Sequence, residues 1–377
     1  MMLLALLACT PKQIDADRVE PTFIYVTVLS EGLGDIDNPL PFSTEAAPLS
    51  VRVETLDVDG DPHPFNGDLS VKVRPGILEQ EQWITVTDGV FEGDILLRNG
   101  FGPTRVWFSD EGDKDSTTGR EPSFATGVTD PPLYYALPTL AEMNEIEDIE
   151  SNQLAGEFAE IRTADRDVRV TAVGVNGYWI TDMDDEPGSY NNLFVYTFSK
   201  PTDETVVGAR VTLLTGSNQE YLGSTQLSFP TYEIGEDELV EVPEPVLISA
   251  SNCADLASLE GLESAIVRVE TVSVPDNFTG SDEDYLDYVE YGQWPIGDCL
   301  YVDNNVTIPD FVPTAGQDLA YVQGVLNQVF DKWILLPRDA DDLSAAAGGP
   351  PASSGPRMPD PPGEFPHSHA PGEPCLP

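Results

Sequence analysis

Three histidines, His63, His367 and His369, are all that this 377-residue chain offers for proton transfer near neutral pH. His63 falls between strand-like runs and the other two in a tail rich in Pro, Gly and Ser, so no Ser-His-Asp or Cys-His set can be built from segments that fold. His367 and His369, with Cys375, carry zinc-ligating atoms, but the tail gives them no packed shell to fix their geometry. The chain therefore reads as non-catalytic. A hydrolase working with two carboxylates alone is the chemistry this argument leaves open.

Carboxylates are abundant: 66 acidic side chains against 18 basic ones give a formal net charge of -48. Such a field repels polyanions, and no run of Lys or Arg interrupts it to release counterions from a phosphate backbone, so nucleic acid is a poor partner. Asp182, Asp184, Asp185 and Glu186 crowd the end of a strand-like run beside Trp179. Their oxygens are a ligand set suited to calcium; the ordinary alternative is a solvated acidic loop, and no other cofactor is indicated. Asp57-Val58-Asp59-Gly60-Asp61 begins like a calcium-binding loop, but Pro62 stands where such a loop needs glycine, which leaves a hairpin turn.

Tyr178, Trp179, Tyr196 and Tyr221 fall on successive strand-like runs and make the candidate binding surface. Turned inward they would be core. Exposed, they would stack sugars or peptide aromatics more readily than nucleotides, given the acidic surroundings.

Four cysteines divide by position: Cys9 ends an apolar run, Cys375 sits in the tail, and Cys253 and Cys299 share one strand-rich stretch. In an oxidising compartment the middle two would pair and contribute ~2–4 kcal/mol by restricting the unfolded chain; in a reducing one they would stay thiols.

Residues 1–8 read MMLLALLA, too short to cross a bilayer, and Cys9-Thr10-Pro11 follows at once. Leu6-Leu7-Ala8-Cys9 resembles the lipobox of bacterial lipoproteins. That resemblance implies that residues 1–9 hold the signal and the lipidation site, that the Cys9 thiol receives diacylglycerol, and that 10–21 tether the remainder to a membrane. Thr10 stands where some inner-membrane lipoproteins carry Asp, so the resemblance implies an outer-membrane or surface address.

The elements beyond the leader are those of a β protein. The 33 prolines and 31 glycines punctuate short runs that alternate apolar and polar residues. About seven such runs fall in 22–130, with turn signals at Asp59-Gly60, Asn66-Gly67, Asp88-Gly89 and Asn99-Gly100, the pattern of an immunoglobulin-like sandwich. Residues 131–150 read as a connector, with a short helical turn capped by Thr139. Strand-like runs resume over 151–242 and 243–344, while the tail 345–377 has too little to bury and is expected to be disordered.

Within 151–242, a Val-rich run is followed by Gly177-Tyr178-Trp179-Ile180-Thr181-Asp182, Leu193-Phe194-Val195-Tyr196, Val207-Gly208-Ala209-Arg210-Val211 and Glu220-Tyr221-Leu222-Gly223-Ser224-Thr225-Gln226-Leu227. This order resembles the OB-fold-like modules attached to secreted bacterial nucleases. The run 332–343 resembles their terminal strand, so 243–344 is a second OB-like domain or the rest of one elaborated barrel. Those nucleases keep their catalytic residues in a separate domain, so the likeness implies a fold and no activity. The combined expectation is an all-β, non-enzymatic lipoprotein in a bacterial envelope, a spacer and binding module for an envelope protein or polysaccharide. The competing expectation is an accessory nucleic-acid-binding lipoprotein.

Overall fold

The computed structural model describes residues 22–79, 83–112, 124–144, 146–148, 151–152, 158–297, 299–305, 307–330 and 332–345. Cys9, the tether at 10–21 and the tail from 346 onward lie outside the described residues. The chain divides into two compact units: Met1–Met143 with Gln153–Asp165 and Leu213–Asn218, and Asn144–Asn152 with Arg166–Thr212 and Gln219–Pro377.

The first unit is a β-sandwich. Its strands are Thr22–Val28 (β1), Ala47–Leu56 (β2), Gly67–Arg74 (β3), Ile77–Leu78 (β4), Trp83–Val86 (β5), Val90–Arg98 (β6), Gly102–Ser109 (β7), Phe124–Ala125 (β8), Gly127–Val128 (β9) and Leu133–Tyr135 (β10). One sheet runs β4-β6-β2-β1-β8, the other β10-β7-β3-β5 with β9 also on β7. Alternate residues such as Val51, Val53, Leu69, Val71 and Val106 face inward and are fully buried, as the period of two requires. Asp88 and Gly89 take φ of 50° and 82° in a two-residue turn, across which Thr87 and Val90 exchange both backbone hydrogen bonds. Asp57 accepts from the N–H groups of Asp59 and Asp61, closing the hairpin turn expected there.

The connector reading needs correction at Leu133–Tyr135. This run is a strand of the sandwich, in register with Thr104 to Gly102, and its Leu133 is buried in the common core. A three-residue run is too short to show a period, so its membership depends on β7 offering an edge. The helix Leu140–Asn144 (α1) follows, with Thr139 and Glu142 capping each other reciprocally. A small ladder joins Ile146–Asp148 (β11) to Ser151–Asn152 (β12).

Six strands come next: Phe158–Glu160 (β13), Val168–Val173 (β14), Gly177–Asp182 (β15), Asn192–Tyr196 (β16), Val211–Tyr221 (β17) and Ser224–Ile234 (β18). Their order is β13-β17-β18-β16-β15-β14, with β16 parallel to β18. The sequence run 220–227, read as one strand, is split by a turn at Leu222-Gly223, where φ is 57° and 94°. An irregularity between Val170 and Ala172 bends β14, and a bridge from Arg169 to Arg210 brings it beside the start of β17. The sheet thus curls on itself around Tyr178, Ile180 and Val195, all fully buried.

The last elements are Val246–Leu247 (β19), the helices Ala250–Ala254 (α2) and Ala257–Glu260 (α3), Ile266–Ser273 (β20), the helix Glu283–Tyr291 (α4), Gln293–Ile296 (β21), Leu300–Asp303 (β22), Asp318–Val329 (β23), Lys332–Leu336 (β24) and Leu343–Ala345 (β25). The sheet runs β19-β20-β23-β24-β22-β21, with β25 on β23. From β20 onward this repeats the preceding plan: β20, β23, β24, β22 and β21 stand where β13, β17, β18, β16 and β15 stand. In both, the second strand of the long hairpin pairs in parallel with the next strand, β18 with β16 and β24 with β22, and both long hairpins turn on a left-handed apolar residue, Leu222 or Phe330. The all-β expectation describes this architecture. Trp294 centres the last core and its indole N–H donates to Asn304 Oδ1 at 2.7 Å. Cys253 on α2 is disulfide-bonded to Cys299 just before β22, with Cα atoms 5.4 Å apart.

Candidate functional site

Alternation along β15 and β16 sorts the predicted aromatic residues. Tyr178 points into the core, where burial raises its phenol pKa and Tyr232 lies 5.1 Å away ring to ring. Trp179, one residue on, points to the opposite face and stacks on Phe194 with ring centroids 4.7 Å apart. Tyr178 therefore leaves the candidate binding surface, and Phe194 joins it.

From Phe194 the row continues through Tyr196 at 6.2 Å to Phe198 at 4.4 Å and Phe229 at 4.8 Å. Phe198 is 52% exposed and Phe229 64% exposed, and both have left-handed backbone, with φ of 62° and 53°. A bulky side chain in that region is strained, and strain of this kind gathers at functional sites. Gly177 makes room for the row, since a Cβ there would meet the Phe194 ring at 2.6 Å. Gln226 pairs with Phe194 on β18 and donates to Ser228 Oγ. Tyr221 is 57% exposed but stands at the end of β17, where the hairpin turns. Phe194, Phe198 and Phe229 were missed by sequence reasoning. The alternation of Phe194, Tyr196 and Phe198 over one run was the available signal.

The acidic loop is organised by an arginine. Arg166 Nε donates to Asp182 Oδ2 at 2.7 Å, its Nη2 lies 2.6 Å from Asp185 Oδ1, and Asp184 is 3.9 Å from Nε. Asp182 is fully buried; burial pushes its carboxyl pKa up, opposed by Arg166 and by the Asp184 N–H. The hydrogen bonds to Asp182 raise the pKa of Arg166 and keep it charged. Asp184 accepts from the Asp167 N–H, and Glu186 remains exposed. The loop's other side is held by amides: Asn191 Nδ2 donates to the Asp182 carbonyl, and Asn144 Nδ2 to the carbonyls of Tyr190 and Asn192. Among the described residues no group of three or more metal-ligating side chains is placed to hold an ion. For Asp182 and Asp185, the cation expected from the calcium reading is the chain's own guanidinium.

Other titratable groups lie elsewhere. His63 is half-buried against the edge of the Phe124 ring. Glu260 and Glu263 are buried acids with pKa values raised to about 7 and about 8, in each case mainly by burial, and neither lines the cavity beside the acidic loop.

No family model matches the chain, and neither a curated protein nor a solved structure does.

Proposed function

We propose that this protein is a non-catalytic lipoprotein of a bacterial cell envelope, anchored through acylated Cys9 at the outer membrane or cell surface. Its β modules act as a spacer and as a binding module for an envelope protein or polysaccharide. The observation that carries the binding role is the aromatic row from Trp179 to Phe229, whose last two rings are held in the open on strained backbone. Support for an extracytoplasmic address comes from the leader ending in Leu6-Leu7-Ala8-Cys9 and from the Cys253–Cys299 disulfide, since such bonds persist where the surroundings oxidise. Among the described residues no helix is long and apolar enough to cross a membrane, so attachment on this reading falls to the lipid.

Mass spectrometry of the mature N-terminus tests the anchor: it should begin at Cys9 and carry acyl chains, and Cys9→Ser should release the protein from membranes. Affinity electrophoresis against neutral polysaccharides and solubilised envelope proteins tests the module, and retardation should be lost in Phe198→Asn/Phe229→Asn. Recovery of the whole chain from cytosol, with an unmodified leader and Cys253 and Cys299 reduced, would overturn the reading.

A further inference from the structure

We propose that the contact between the β17–β18 turn and the last sheet is a pH-sensitive latch, closed in mildly acidic surroundings and opened in mildly alkaline ones. Across this contact the Thr225 N–H donates to Glu263 Oε2 at 2.9 Å, Ser224 Oγ to Asn327 Oδ1 at 2.8 Å, and the Phe330 N–H to the Leu222 carbonyl. Gly223 seats the turn, since a Cβ there would meet the Gln328 side chain at 3.0 Å and the Phe330 carbonyl at 3.2 Å. The tip is already exposed at Tyr221, Leu222 and Phe330, so lifting it uncovers little further apolar surface and requires neither sheet to unfold.

Carboxyls sit inside this contact. Glu263 and Glu260 are 8% and 6% exposed, and Oε1 of each is buried with no hydrogen-bond partner among the described residues. Glu220 joins them from the end of β17, accepting from the Thr225 hydroxyl at 2.6 Å. The other polar side chains of the contact, Ser224, Thr225, Asn327 and Gln328, are uncharged. Of the basic groups on the last sheet, Arg268 on β20 lies over the Tyr321 ring and Lys332 on β24 is paired with Asp287. Buried carboxylates without a cation are costly, and buried carboxylic acids far less so. Burial, aided by the neighbouring carboxylates, raises Glu260 to about 7 and Glu263 to about 8, so the closed contact holds protons near neutrality. Once the turn lifts, water solvates both groups, which return toward the ordinary 4.5 and release those protons. Rising pH therefore favours the open form from 4.5 upward, until the closed form is itself ionised at about 8. This device is separate from the aromatic row and goes beyond the envelope-binding reading.

Residue-resolved hydrogen exchange of the full chain between about pH 5 and pH 9 tests it, with each rate divided by that of the same amide in an unstructured chain. The N–H groups of Thr225 and Phe330 report the latch, while those of Val170, bonded to the Ala209 carbonyl, and Val274, bonded to that of Gln317, report the strands on either side. Protection at Thr225 and Phe330 should fall at least about tenfold per pH unit between about 5 and 7 and level off above about 8. Above about pH 8 both should exchange at least about tenfold faster than Val170 and Val274, and low denaturant should accelerate only the latter two. Glu260→Gln/Glu263→Gln, neutral at every pH, should keep the latch protected throughout. Glu233→Gln/Glu283→Gln, at two exposed acids elsewhere, should keep the parent's profile. The proposal fails if the four amides of the parent exchange together at every pH, or if Thr225 and Phe330 keep their protection as pH rises. Those two results are read from the parent alone and do not depend on how the variants fold. It fails equally if the exposed pair flattens the profile as much as the buried pair, because overall charge would then be the cause.

Discussion

The backbone N–H of Thr225 donates to Glu263 Oε2 at 2.9 Å, and that bond does not suffice to keep the carboxyl acidic. Burial outweighs it, the charges of Glu220 and Glu260 add to the effect, and the pKa rises to about 8 from an ordinary 4.5. Glu220 belongs to the same group through Thr225, whose hydroxyl donates to it at 2.6 Å. The folded state therefore holds a proton that the unfolded chain has released.

The sign of the pH dependence follows. The stabilising contribution of protonated Glu263 is complete below pH 4.5 and disappears as pH rises through about 8. Denaturant titrations between these limits should show stability falling with pH. Glu263→Gln should reduce that fall by more than about 1 kcal/mol. An identical pH slope in the variant and the parent would refute the assignment.

Arg166→Met should be costly at neutral pH, because it strands the buried Asp182 carboxylate. Breaking one side of such a pair costs about 3–5 kcal/mol, and the partial exposure of Arg166 places the expectation near the lower end. The loss should shrink as pH falls and Asp182 takes up a proton, or when Asp182→Asn is added. A loss independent of both would mean that packing, and not charge, explains it.

Replacing Phe198 and Phe229 with Asn should leave the melting temperature unchanged or raise it. Left-handed backbone costs a bulky residue roughly 1–2 kcal/mol, Asn tolerates it better, and the two rings bury little. A fall of more than about 1 kcal/mol would show that these rings serve the fold.

Reducing the Cys253–Cys299 bond, or replacing both cysteines with Ser, should destabilise the protein by up to about 4 kcal/mol, given a sequence separation of 46. Thermal melts with and without reductant check this. The double variant should show no further response to reductant.

Much of the fold was legible locally, because strand alternation and turn chemistry act over a few neighbouring residues. Phe23 to Leu29, Leu49 to Leu56 and the Asp88-Gly89 turn could be read directly, and so could the Thr139 cap. The pairing of Cys253 with Cys299 followed from counting thiols by region.

Tertiary structure decided what depends on partners distant in sequence. A shift of one residue separates the core Tyr178 from the outward Trp179, and only the pairing of β15 with β16 assigns the faces. Phe229 reaches Phe198 because β18 lies parallel to β16 across a long excursion of the chain. The acids at 182 and 185 read as calcium ligands or as part of a solvated loop, until folding brings Arg166 against them. Local pattern specifies what a segment can become; the curling of the sheet specifies which charges and rings then meet.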